Sequence, residues 1–217
     1  MKKINILVLA LGAMFMTAAA AKGPAIGITV AATSVDASGY EQLKTSGNKT
    51  THSASDDVII PSIFVEATND SGFTLGLDYI PLSAEVGSGS NTGDDDAETS
   101  GTNRVSVNFK NHMTLYVEKT LPFANGLYLK AGVSRVTLET EDTVSTGAKY
   151  DDQNITAVTV GVGVKRDLTD NMFFKAEASY ADYESATFKS RGSDAVTTVV
   201  LEDLDTTQFR LSIGRYF

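Results

Sequence analysis

The chain has 217 residues, a formal charge of −9, 42% hydrophobic residues and no cysteine. Zero Cys excludes disulfides, thiolate nucleophiles and Cys-ligated metals. The acidity argues against nucleic acid or anionic lipid bound through a basic patch.

Lys2 and Lys3 precede an apolar run, Ile4 to Met16, and small residues at Ala18–Ala21. This pattern predicts a secretory signal peptide over 1–21 and one mature domain over 22–217. No later segment approaches about 20 consecutive apolar residues, so no helical span is expected. Eight extended segments follow, near 25–43, 58–69, 73–86, 104–121, 127–140, 154–168, 172–188 and 205–217. Their connections alternate in length. Those at 69–72, 122–126 and 168–171 are short and carry Asn, Asp or Gly for tight turns. Those at 44–57, 87–103, 141–153 and 189–204 are long, polar and aperiodic.

Within the segments apolar and polar residues alternate, as on half-buried strands. Val105, Val107, Phe109, Asn111, Met113, Leu115 and Val117 form one face of the fourth segment. Arg104, Ser106, Asn108, Lys110, His112, Thr114, Tyr116 and Glu118 form the other. Val158, Val160, Val162 and Val164 repeat the pattern in the sixth. In the fifth, Val136 and Leu138 leave the phase of Leu127–Val133. A bulge, or emergence above a bilayer, would account for this.

Alternation alone does not say which face is inside, because a soluble secreted barrel alternates too. Loop asymmetry and the terminal Phe217 point to the membrane. The expectation is an all-β, eight-stranded, antiparallel, up-and-down transmembrane β-barrel. Short turns lie in the periplasm and four long acidic loops outside.

The last strand, Phe209-Arg210-Leu211-Ser212-Ile213-Gly214-Arg215-Tyr216-Phe217, carries a resemblance. The chain resembles the small eight-stranded Gram-negative outer-membrane barrels, the OmpA transmembrane domain and OmpX-like group. The resemblance implies residence in the bacterial outer membrane, contact with its lipid and lipopolysaccharide, and recognition by the barrel-assembly machinery. Phe209, Leu211, Ile213 and Phe217 match that family's assembly signal, while Arg215 departs from it.

The polar faces suggest a lumen charge network of Glu66, Asp78, Lys110, His112, Glu118, Lys130, Lys165, Lys175, Glu177 and Arg210. Eight strands leave room for little but side chains. Such charges form either an ion-paired filling or a narrow ion path. Small residues at Gly76, Gly132, Gly161 and Gly163 would favour the path. Phe73, Tyr79, Phe123, Phe173, Phe174, Tyr180 and Phe217 suggest interfacial girdles.

His112 has no Ser nucleophile nearby, so no catalytic residue and no enzymatic activity are expected. Acidic runs at 56–57, 94–96, 139–142, 151–152 and 202–203 could meet divalent cations, but none has the spacing of a metal loop. No cofactor, no metal site, no nucleic acid and a monomer are expected. The function read from sequence is structural or surface-interactive: adhesion, phage reception or envelope protection through the loops. The alternative is a narrow passive pore for ions or small solutes, and the third reading an outer-leaflet lipid-modifying enzyme.

Overall fold

The computed structural model describes residues 20–43, 47–93, 101–143, 150–189 and 197–217. Residues 1–19 of the expected signal peptide and the acidic run at 94–96 lie outside them. The strands are β1 (Ala20–Leu43), β2 (Lys49–Asn69), β3 (Phe73–Ile80), β4 (Ala84–Gly93), β5 (Gly101–Thr120), β6 (Leu127–Thr143), β7 (Gln153–Thr169), β8 (Met172–Tyr183), β9 (Ala186–Lys189) and β10 (Thr197–Tyr216). They pair antiparallel in sequence order and close where β1 meets β10. Two of the eight expected strands are interrupted: β3 and β4 are one, β8 and β9 the other.

Following the register once round the barrel gives its tilt. The path runs Ala25, Glu66, Gly76, Tyr116, Gly132, Thr159, Ala181, Thr206 and back to β1 at Val35. It returns ten residues further along the strand than it began. That stagger belongs to a closed barrel of steeply tilted strands.

The turns at the end of the short connections are tight. Gly72 and Gly126 have φ of 76° and 80°, and Asn125 has φ of 41°. At the opposite end the strands run well past the lengths read from sequence. β2 begins at Lys49 and β10 at Thr197, inside stretches expected as loops. Ser- and Thr-rich ribbons standing in water need no apolar face, so their pairing leaves no alternation to read.

Closure places Ile26, Ile28, Val30, Ile63, Val65, Leu129, Val160, Leu211 and Ile213 on the exterior, all exposed. This belt faces lipid. Above it the exterior turns polar, with Asp36 and Asp57 each six residues beyond the belt residues Val30 on β1 and Ile63 on β2. There the interior turns apolar: Val35, Phe109, Val136, Leu138, Ile155, Tyr183 and Leu204 are buried in one cluster. The barrel is thus inverted along its axis. It is polar within and apolar without across the membrane, and the reverse above.

That inversion explains the phase slip of the fifth segment, whose Val136 and Leu138 stay on the inner face and enter the apolar cluster. The bulge itself lies on the neighbouring β5. Its register shifts between Lys110 and Met113, and Asn111 takes φ of 52°. The extra residue turns Phe109 inward and Lys110 outward.

Candidate functional site

The inner face of each strand reads upward in three tiers. On β5 the order is Glu118, Tyr116, Thr114, His112 and, past the bulge, Phe109; all are buried. On β6 it is Lys130, Ser134, Val136 and Leu138, and on β8 Lys175, Glu177, Ser179, Ala181 and Tyr183. Charge gives way to hydroxyl, and hydroxyl to hydrocarbon.

The lowest tier is an ion-pair network. Lys165 Nζ reaches Glu66 Oε1 at 2.7 Å, and Lys175 Nζ reaches Glu66 Oε2 at 3.0 Å. Lys175 also pairs with Glu118. Lys130 Nζ reaches Glu177 Oε1 at 2.9 Å, and Arg210 joins Glu177 at 3.6 Å to Asp78 at 2.5 Å. Tyr116 donates to Glu66 and Tyr128 to Glu177, each at 2.9 Å. Four carboxylates (Glu66, Asp78, Glu118, Glu177) therefore meet four cations (Lys130, Lys165, Lys175, Arg210). Each buried charge has an opposite partner, the condition under which such charges are tolerated.

The network brings together eight of the ten residues expected in it. His112 stands just above, its Nε2 3.2 Å from Tyr183 Oη across the lumen and its ring 6.4 Å from that of Phe109. Lys110 is elsewhere: the bulge carries it to the exterior, where it pairs with Glu139. The glycines expected to widen the lumen do not all do so. A Cβ at Gly76 would overlap the ring of Tyr116, and one at Gly163 that of Tyr128. Both sites are filled by aromatic rings laid against bare backbone. Phe173, expected in a girdle, is fully buried and packs on Tyr216 with centroids 4.8 Å apart. Phe209, Leu211, Ile213 and Phe217 all face outward and are exposed.

The middle tier is a belt of small hydroxyl side chains. Thr114 and Ser134 lie 2.8 Å apart, Ser134 and Thr159 3.5 Å, and Ser62 donates to Asp78 at 3.0 Å. Above it is the apolar tier.

The wall beside these upper tiers is open. β2 and β3 pair from Thr68↔Thr74 up to Ile63↔Tyr79 and no further. Continuing that register would set Pro61 against Pro81, and neither has an N–H to give the ladder. β4 resumes at Ala84 and, among the described residues, hydrogen-bonds to β5 alone. A seam therefore runs upward between β2 and β4. It begins in the outer part of the lipid-facing belt, where exposed Ile63 and Ile59 flank Pro61. Ile60, buried, and Val58, packed against the apolar cluster, border it from within. Sequence reasoning missed this seam, although both prolines were visible inside runs read as continuous strands.

Outside, an acidic rim crowns the belt. Asp36, Asp205 and Asp182 stand in one register row on β1, β10 and β8. Burial, then the neighbouring Asp36, Asp182 and Asp203, push the Asp205 carboxyl above its ordinary range.

The family of the outer membrane protein beta-barrel domain matches residues 6–217. The chain belongs to this family. Its place is the bacterial outer membrane. Its fold is similar to that of OprG from Pseudomonas aeruginosa, at 15% identity and a TM-score of 0.58, covering 90% of this chain and 97% of that one. It is also similar to AlkL, solved in DMPC bilayers, at 13% identity and a TM-score of 0.53, covering 92% and 93%. A third likeness is the outer membrane protease OmpT from Escherichia coli, at 12% identity and a TM-score of 0.50, covering 93% and 99%. No curated protein matches the sequence. The likeness to OmpT corrects one expectation: this architecture accommodates an enzyme, so the reading of the chain as a non-enzyme does not stand.

Proposed function

We propose that the barrel passes small apolar molecules sideways, from the outside through its upper interior and out by the β2–β4 seam into the membrane. The observation that carries this reading is a coincidence of level. The wall loses its hydrogen bonds where the interior changes from ion pairs to hydrocarbon. A solute arriving there meets Phe109, Leu138 and Ile60 on one side and lipid on the other. The route downward is filled by paired charges and by Tyr116 and Tyr128, so the barrel is closed to ions. A through-pore, the narrow-channel reading, has less support for that reason. In this reading the barrel works as a monomer.

The test is uptake of an apolar fluorescent probe by lipid vesicles holding the refolded protein. The Pro61→Val/Pro81→Val variant regains two ladder donors. Its uptake is expected to fall toward that of protein-free vesicles. Uptake equal to wild type, in protein with unchanged strand content, would overturn the reading.

A surface-interaction role is the second reading. Residues 49–57 of β2 are exposed on both faces of the ribbon they form with β1, a polar surface held clear of the membrane. Trimming 94–100, which lie between β4 and β5 in sequence, would leave uptake intact and abolish surface binding if that role belongs to the neighbouring segment.

A further inference from the structure

The hydroxyl tier is too polar for a conduit of pure hydrocarbon, and three polar atoms in it or at its lower edge are unused. Among the described residues Thr33 Oγ1, Asp78 Oδ1 and His112 Nδ1 have no hydrogen-bond partner, and their residues are 2%, 2% and 7% exposed. Buried polar atoms without partners are rare and costly, so such a group marks a place where something else binds. Asp78 lies opposite Thr114, and His112 is the next inward residue above Thr114 on β5. Asp78 and His112 are thus diagonal neighbours on adjacent strands. Directly above them the lumen is lined by Phe109, Val136 and Leu138.

We infer that this tier is a head-group site for a neutral amphiphile carrying one hydroxyl, an aliphatic alcohol, with its tail in the apolar tier above. The inference rests on the passage reading and names the class of molecule passed. Three arguments select the chemistry. The carboxylates and cations below balance four to four and are already paired, so a charged head would be buried without a counter-charge. Tyr183 Oη and His112 Nε2 lie 3.2 Å apart; we assign the hydroxyl as the donor of this pair, which puts the proton of the neutral ring on Nδ1 and offers a donor there. Asp78 Oδ1, on the carboxylate that pairs with Arg210, can only accept. A head that both donates and accepts satisfies the two at once. A hydroxyl does this; an ether or ketone, which only accepts, does not, and an alkane leaves both atoms unpaired.

The experiment follows the imidazole signals of the full-length barrel in lipid nanodiscs. The chain has two histidines, His112 and the exposed His52, so each serves as the other's reference. The additions are 1-decanol, decane and decanoate. Decanol is expected to shift His112 saturably and leave His52 unmoved, while decane and decanoate shift neither. Thr33→Val, equal in volume, is expected to weaken decanol about tenfold, as loss of one hydrogen bond in this tier does. Equal shifts from decane and decanol would overturn the inference. So would no shift with decanol, which would mean that the tier holds only water. The vesicle assay judges the passage reading separately. Decanol bound at His112 alongside unchanged uptake in the Pro61→Val/Pro81→Val variant would sink the passage and keep the site. Slowed uptake without decanol binding would do the reverse.

Discussion

The ring of Tyr116 sits where a side chain at Gly76 would be, and from there its hydroxyl reaches Glu66 at 2.9 Å. A glycine on β3 thereby holds a hydrogen bond between β5 and β2. Gly76→Val would push the ring away and remove that bond. The combined cost is about 2–4 kcal/mol, from overpacking and from a buried carboxylate losing a donor. Urea unfolding of the barrel in vesicles should show it as a lower midpoint. An unchanged midpoint would mean that the ring has somewhere else to go.

Lys175 serves two carboxylates, Glu66 and Glu118. Glu66 keeps Lys165 if Lys175 is removed, but among the described residues Glu118 keeps no other cation at ion-pair distance. Lys175→Met is expected to cost about 3–5 kcal/mol, and Glu118→Gln in that background to recover much of it. Additive losses in the double variant would contradict this coupling. Neither variant should conduct ions in a planar bilayer, because Tyr116, Tyr128 and the remaining pairs still fill the lumen.

Asn111 sits at the bulge with φ of 52°. Asparagine and glycine tolerate that conformation, and β-branched residues do not. Asn111→Gly should be near neutral, whereas Asn111→Val should cost about 1–2 kcal/mol. The same urea midpoints decide it, and equal midpoints for the two variants would remove the backbone argument.

Asp205 is raised above the usual carboxylate range, by burial first and then by Asp36, Asp182 and Asp203. The sign follows from linkage. As pH falls, the folded state takes up this proton before the unfolded state does, so acidification through the raised range stabilises the rim. Above that range the charged group opposes folding. Asp205→Asn should therefore raise the thermal midpoint at neutral pH and lose the advantage in acid. A difference that stays constant across the titration would contradict the assignment.

Much of the wall was legible because lipid demands alternation. Val158, Val160, Val162 and Val164, and Phe209, Leu211 and Ile213, lie on the lipid face as their spacing implied. The turns announced themselves through Asn69, Gly72 and Gly126. The face swap of β5 left one trace, the polar Asn111 in an otherwise apolar face. The parity of Val105 to Val117 otherwise holds, and only the backbone at Asn111 moves Phe109 inside and Lys110 out. The polar ribbons were hidden for the opposite reason, since strands wet on both faces have no period to detect. Pro61 and Pro81 did carry a signal, but only the register of β2 and β3 shows that they fall opposite one another.

The most direct test of the lateral route is to see where an apolar solute touches the protein on its way in. A photoreactive alkane is added outside vesicles bearing the barrel, illuminated within seconds, and its adducts are mapped by mass spectrometry. Lateral passage predicts adducts on the inward residues Val58, Ile60 and Val136, reduced in the Pro61→Val/Pro81→Val variant. Adducts confined to the lipid-facing Ile28, Val160 and Leu211 would mean that the solute never enters the barrel, and would contradict the account.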